Sequence, residues 1–178
     1  MKKIAVYPGS FDPITYGHLD IIRRGLTIFD EIIVAVAKNS QKSALFTTDE
    51  RVELIQDVVK GEGRVTVDTF SGLLIDYVSS RGAHVIIRGL RAISDFEYEF
   101  QIAQMNSSIG REIETLFMMT SLQYGYLSSS IVKEVCSLNG NIDKFVPLEV
   151  KAALRQKYGL ESITKGMDRI EEVTNKLQ

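Results

Sequence analysis

Glu31-Ile32-Ile33-Val34-Ala35-Val36-Ala37 is the stretch that narrows the fold most. It is β-branched and almost continuously apolar, without alternation, so as a strand it must be covered on both faces. Strands of that kind belong to parallel sheets flanked by helices. Four more fit around it: Ile4-Ala5-Val6, Val65-Thr66-Val67-Asp68, His84 to Arg88, and Glu114 to Met119. Helical spacing fills the gaps. It places Leu19, Ile22, Leu26 and Phe29 together, and Val52, Ile55 and Val59 behind a start at Thr48 to Arg51. Leu74, Tyr77 and Val78 share a helix from about Gly72 to Arg81, and Phe96, Phe100 and Ala103 follow Ser94-Asp95-Phe96-Glu97, which reads as a capping box. A helix with Ile131, Val135 and Leu138 comes after the fifth strand, and Pro147 is placed as a first-turn proline for one bearing Val150 and Leu154. This alternation predicts an α/β fold with a doubly wound, five-stranded parallel sheet and C-terminal helices, whose ligands bind beyond the carboxyl ends of the strands.

A chain of 178 residues suffices for one domain, burying roughly 70% of its unfolded surface. Residues 1–158 form that domain, and 159–178 a tail in which Ile163, Met167, Ile170 and Leu177 fall on one helical face, predicting a short helix. A net charge of −2 without a long Lys/Arg run argues against a nucleic-acid partner. The single cysteine, Cys136, excludes an internal disulfide and reads as a small core residue. With His18 and His84 it builds no zinc pattern, so no protein-held metal is expected. The apolar run after Met1-Lys2-Lys3 is too short for a signal-peptide core, and no stretch approaches a membrane span. A soluble cytoplasmic protein is expected.

The chemistry gathers between Val6 and His18. Pro8-Gly9 is expected to end the first strand, and the chain becomes helical between Pro13 and Gly17. The free N–H groups of that helix point back at the strand end and suit an anion, which Gly17 lets approach. His18 on the first turn can donate to a phosphoryl oxygen as charge grows there. Three further stretches follow strands and so share this rim: Lys42 in its loop, Arg88-Gly89-Leu90-Arg91, and Leu127-Ser128-Ser129-Ser130-Ile131-Val132-Lys133. The first is a lone cation, the second offers two guanidinium forks, and the third hydroxyls and amides at a helix start. Each has an ordinary alternative: a surface histidine, a solvated lysine, loop arginines, a single N-cap serine. Their coincidence on one rim favours a site. No GxxxxGK[ST] loop occurs, and Gly61-Glu62-Gly63 follows a helix, so it is not a dinucleotide fingerprint.

Thr15-Tyr16-Gly17-His18 resembles the T/HxGH signature of the nucleotidyltransferase superfamily, and Tyr7-Pro8-Gly9-Ser10-Phe11-Asp12-Pro13 resembles the phosphopantetheine adenylyltransferases, a likeness running over roughly residues 2 to 158. The resemblance implies a Rossmann-like nucleotidyltransferase fold. It also implies adenylyl transfer from ATP to 4′-phosphopantetheine, giving dephospho-coenzyme A and pyrophosphate by in-line attack without a covalent intermediate. By the same resemblance His18 is the catalytic residue, and Ser10, Lys42, Leu74 and Arg88 take the acceptor. ATP falls to Ser10, Phe11, His18, Gly89, Leu90, Arg91, Glu99, Tyr124, Gly125, Tyr126, Leu127, Ser128, Ser129 and Ser130. Mg²⁺ accompanies ATP, the assembly is a homohexamer, and coenzyme A is a feedback inhibitor. Lys133 closes what looks like the second superfamily signature. Tyr124-Gly125-Tyr126 departs from the family pattern, which leaves adenine packing open, and Ser10 stands where many relatives have threonine. The rivals are a nicotinate-nucleotide or cytidylyl transferase, which lacks the Arg88 to Arg91 and Asp95-Phe96-Glu97-Tyr98-Glu99 context, and a non-catalytic ATP sensor, which has no need of His18. A class I aminoacyl-tRNA synthetase is excluded by length and by the absence of a basic surface.

Overall fold

The structure, a computed structural model, describes residues 2–38, 44–91, 93–110 and 112–160, with 93 and 94 described by their backbone alone. Lys42 and the tail helix therefore lie outside the described residues. Five strands, β1 (Ile4–Gly9), β2 (Glu31–Ala37), β3 (Val65–Phe70), β4 (Val85–Leu90) and β5 (Glu114–Met119), form one parallel sheet in the order β3-β2-β1-β4-β5. The connecting helices are α1 (Tyr16–Gly25), α2 (Thr48–Val59), α3 (Leu74–Ser80) and α4 (Ile93–Ile109), and α5 (Ser129–Ser137) and α6 (Leu148–Lys157) complete the chain. β2 is buried from Ile32 to Val36, as its unbroken apolar run requires. Successive strand residues point to opposite faces. Ala5, Tyr7, Val34 and Ile87 share one core with α1, α2, α5 and α6, while Val6, Ile33, Ala35 and Ile86 meet Ile75 and Val78 of α3 on the other face.

The order reverses between β1 and β4. β1 pairs β2 from Ile4–Glu31 to Gly9–Val36, yet pairs β4 only at Ala5–Val85 and Val6–Ile86. A ligand crevice forms at such a switch point.

Several boundaries differ from expectation for local reasons. Pro8 and Gly9 continue β1 instead of ending it. The Pro8 carbonyl accepts from Arg88 Nη1 at 3.2 Å, on the side where the β4 ladder has stopped. Because N and C=O of a strand residue face the same way, the missing N–H of Pro8 forfeits no ladder bond. β4 begins at Val85, after His84, and includes Arg88, Gly89 and Leu90, leaving only Arg91 beyond it. α1 stops at Gly25, with Leu26 and Phe29 buried past its end. A Cβ at Gly25 would come within 2.6 Å of Ile32. α2 is capped by Thr47, one residue earlier than expected, with Glu50 closing the box. Gly72, at φ +83°, turns the chain so that α3 starts at Leu74. α4 starts at Ile93, which puts Ser94 inside the helix and not at its cap, and its Phe96 and Phe100 are exposed. In α5 the buried residues are Val132 and Cys136, whereas Ile131 and Leu138 face outward. Pro147 is the N-cap of α6, whose Val150 and Leu154 are buried.

Candidate active site

The first turn of α1 fixes the imidazole. Thr15 is the N-cap, and its backbone N–H donates to His18 Nδ1 at 3.0 Å, with the Thr15 hydroxyl also 3.0 Å from that nitrogen. With Nδ1 accepting, the ring proton resides on Nε2, which becomes the ring's donor. Burial, reinforced by the nearby positive charge of Arg91, lowers the His18 pKa from 6.5 to about 4, so the ring is neutral at pH 7. Phe11 meets the ring edge-on at 5.1 Å between centroids and in turn meets Tyr7 at 5.4 Å. Phe11 is a core side chain with φ 47°, lying over Gly9, where a Cβ would come within 2.9 Å of its ring. Its side chain is therefore a support for His18, and only its backbone is available to a nucleotide. Tyr16 N–H is taken by the Phe145 carbonyl at 3.0 Å, so the anion capacity of this terminus is smaller than the sequence implies.

The serine triplet divides its labour. Ser128 caps α5 by accepting from Ile131 N–H at 3.1 Å, and Ser129 Oγ donates to the Pro13 carbonyl at 2.7 Å. The exposed Ser130 hydroxyl makes no hydrogen bond among the described residues, and the N–H groups of Ser129 and Ser130 lie in the first turn of α5, where no intrahelical acceptor exists. Leu127 and Leu90 are buried, so only their backbones face outward. Arg91 Nη1 donates to the Leu127 carbonyl at 3.1 Å and its other nitrogens pair with Asp95. This joins the end of β4 to the serine turn. Lys133 pairs with the carboxylate of Asp12.

Arg88 and Glu99, expected on different substrates, hold each other. The guanidinium grips the carboxylate through two nitrogens, Nε to Oε2 at 2.6 Å and Nη2 to Oε1. Both line a narrow cleft with Leu74, Ile86, Ile102 and Asn106, which unites two of the predicted acceptor residues, Leu74 and Arg88. Gly89 is packed under Ile21 and Tyr7, where a Cβ would meet Ile21 at 3.2 Å. Ser10 is exposed at the turn after β1. Across the site Tyr124, in a 3₁₀ turn Leu122–Tyr124, stacks on Tyr16 at 6.4 Å, Gly125 caps that turn, and Tyr126 is exposed, meeting Phe145 edge-on at 6.1 Å. The wider cleft between α2 and α6, lined by Phe46, Glu50, Leu54 and Lys157, contains none of the predicted site residues.

Three residues that build the site escape a reading of motifs. Arg51 is buried and donates to the carbonyls of Ser10 at 2.8 Å, Ala37 at 3.4 Å and Thr47 at 3.3 Å, fixing the turns after β1 and β2. Asp12 accepts from Leu45 and Phe46 N–H at 3.0 and 2.9 Å. Asp20 accepts from Ser121 N–H at 3.0 Å and Ser121 Oγ at 2.7 Å, tying the 3₁₀ turn to α1. Burial opposes ionisation of Asp20, but Ser121 and Arg24 outweigh it and hold the carboxyl below the usual range. For Asp12 the only available signal was its place inside the quoted motif.

The family model described as Cytidylyltransferase-like matches residues 6–135. Relatives named "Phosphopantetheine adenylyltransferase" are similar over most of their length. That of Geobacter sulfurreducens is 75% identical over 156 residues, covering 88% of this chain and 95% of the relative. That of Geobacter metallireducens is 71% identical, covering 88% and 96%. That of Syntrophotalea carbinolica is 64% identical, covering 88% and 95%. A solved structure described as a nicotinate-nucleotide adenylyltransferase from Vibrio parahaemolyticus superimposes with a TM-score of 0.64, covering 91% of this chain and 98% of that one. At 18% identity this likeness shows the fold alone.

Proposed function

The chain belongs to the phosphopantetheine adenylyltransferase family, and from that premise we propose that the rim around His18 transfers the adenylyl group of ATP to the phosphate of 4′-phosphopantetheine. The chain is a nucleotidyltransferase, and its products are dephospho-coenzyme A and pyrophosphate. An acceptor phosphate oxygen bonds to the α-phosphorus as the bond from that phosphorus to the bridging oxygen breaks, and pyrophosphate leaves with the electron pair. The observation that carries this reading is the tautomer of His18 held by Thr15, which leaves Nε2–H as a neutral donor on the first turn of α1. Such a donor stabilises charge growing on the α-phosphoryl oxygens without giving up its proton.

Ser130, the first amides of α5 and Arg91 take the departing phosphates, and the Tyr124–Tyr126 segment takes the adenine. The acceptor phosphate lies between Ser10, Lys42 and Arg88, its neutral arm running toward Leu74. Arg88 reaches it with the second hydrogen of Nη1, whose first goes to the Pro8 carbonyl while Nε and Nη2 hold Glu99, so Glu99 acts here by aiming the guanidinium. Among the described residues no group of three or more His, Cys, Asp or Glu side chains suits a metal ion. Asp12, Asp20, Asp95 and Glu99 are each committed to donors. In this reading Mg²⁺ enters as part of the Mg·ATP substrate, carried by phosphate oxygens. No helix of the described residues is long and apolar enough to cross a membrane, and a cytoplasmic location is part of this proposal. Phe96, Tyr98, Phe100 and Met105 of α4 and Leu116 and Met119 of the edge strand β5 are exposed apolar side chains, which supports subunit contact in a homohexamer. Coenzyme A, which contains the acceptor's arm and the donor's nucleotide, inhibits by occupying both halves.

The test is pyrophosphate release from Mg·ATP with 4′-phosphopantetheine against nicotinate mononucleotide. Turnover confined to the first acceptor is expected. Equal turnover with both, or tight ATP binding without pyrophosphate from either, overturns the reading in favour of the sister transferase or the sensor.

A further inference from the structure

One buried carboxylate touches both halves of the site without facing either substrate. Asp12 Oδ1 accepts from Phe46 N–H at 2.9 Å and Oδ2 from Leu45 N–H at 3.0 Å, which anchors the chain as it returns from the loop after β2. Lys42 belongs to that loop. On its other flank Oδ2 receives Nζ of Lys133, which stands one turn behind Ser129 on α5. Ser129 Oγ donates to the carbonyl of Pro13, so the same face of α5 grips the Asp12-Pro13 turn twice. Arg51 Nη1 holds the Ser10 carbonyl from below at 2.8 Å. The turn at Ser10 to Pro13 is thus a fixed post, with Leu45 and Phe46 tied to one side and α5 to the other.

We infer that Asp12 is a positioning residue that sets the distance between the acceptor side of the site, at Ser10 and Leu45-Phe46, and the N-terminus of α5, and that Lys133 serves as its partner and not as a phosphate ligand. This rests on the assignment of those two elements to acceptor and nucleotide made above. In-line transfer needs the acceptor oxygen aligned with the bond being broken, so a small change in that spacing lowers the rate of the chemical step far more than it lowers either affinity. Burial opposes the charge on Asp12, but the Lys133 ammonium and the two amides outweigh it and keep the carboxyl below its usual range. The post is accordingly charged throughout the neutral range, and its grip on Lys133 is an ion pair.

The experiment compares Asp12→Asn, Lys133→Met, the double variant and the conservative Lys133→Arg. For each, binding of ATP alone and of 4′-phosphopantetheine alone is measured by calorimetry, and the single-turnover rate is measured on protein confirmed folded by circular dichroism. The expected outcome is a rate lowered by about 100-fold in Asp12→Asn, in Lys133→Met and in the double variant. Each separate affinity stays within about threefold of wild type, and Lys133→Arg recovers most of the rate. Three results overturn the inference. One is a lower melting temperature with an unchanged rate per folded molecule, which marks a merely structural role. Another is a large loss of ATP affinity in Lys133→Met but not in Asp12→Asn, which makes Lys133 a phosphate ligand. The third is near wild-type turnover in Lys133→Met, which decides the matter even where Asp12→Asn does not fold. Wild-type protein that fails to turn over 4′-phosphopantetheine defeats the functional assignment itself, a separate result.

Discussion

Replacing His18 with alanine separates support from chemistry, and the structure gives both magnitudes. On the support side, the Thr15 N–H loses its acceptor at 3.0 Å, a capping loss of about 1 kcal/mol. The edge-on contact with Phe11 at 5.1 Å disappears too, for about another 1 kcal/mol. A domain stable by about 5–15 kcal/mol remains folded after losing two. On the chemical side, the ring is neutral, so no full charge is withdrawn from ATP in the ground state. What the proposed mechanism loses is one N–H donor to developing charge, which should cost about 2.7–4 kcal/mol, or about 100- to 1,000-fold in rate. The assay is single-turnover pyrophosphate release at saturating Mg·ATP and acceptor, with ATP affinity measured separately and unfolding followed in urea. ATP affinity is expected to change only a few-fold. A rate within about threefold of wild type, or a fall in ATP affinity as large as the fall in rate, refutes the argument.

The same imidazole gives a pH signature. Its folded pKa of about 4 lies below the ordinary 6.5, so between those values the unfolded chain binds more protons and stability falls as pH drops, by about 3 kcal/mol in all. The wild-type advantage over His18→Ala, about 2 kcal/mol at pH 7, should fall by about 3 kcal/mol by pH 4 and so change sign, and a constant gap in urea unfolding contradicts it. Arg51→Met strips donors from the Ser10, Ala37 and Thr47 carbonyls and should destabilise by about 3–5 kcal/mol. Arg51→Lys recovers only part of this in thermal melts, because one ammonium cannot span three acceptors. Arg88→Ala should raise the acceptor KM by about 10- to 150-fold, the equivalent of about 1.5–3 kcal/mol. ATP affinity should stay within a few-fold, and an equal effect on both substrates moves Arg88 to the nucleotide side.

The sheet was legible because its strands declare themselves by composition. β2 and β5 have the bounds that the sequence predicts, Glu31–Ala37 and Glu114–Met119. Strand ends were less legible at the switch point, since whether Pro8 breaks a strand depends on a neighbour, β4, that is far away in sequence. The rim motifs were legible as a group and less so in their internal duties. That Ser128 caps, Ser129 clamps Pro13 and Ser130 is left over follows from where the turn at Pro13 sits, which no local pattern reveals. Arg51, Asp12 and Asp20 were illegible for a common reason. Each looks like an ordinary polar residue near a helix start, and each acquires its role from backbone groups 30 to 100 positions away. Phe96 and Phe100 follow helical spacing, but spacing alone says nothing of what covers them.

Asp20 and Tyr16 both belong to α1, and both hold the segment that carries Tyr124, one through Ser121 and the other by ring stacking. The wall opposite the imidazole is thus a passenger on the helix that bears the imidazole. A compound that seats itself by prising Tyr124 from Tyr16 is expected to pull on α1, and with it on His18, without touching the reacting atoms. Substitutions that evade such a compound by loosening the wall loosen the imidazole as well, and resistance there comes with slower turnover.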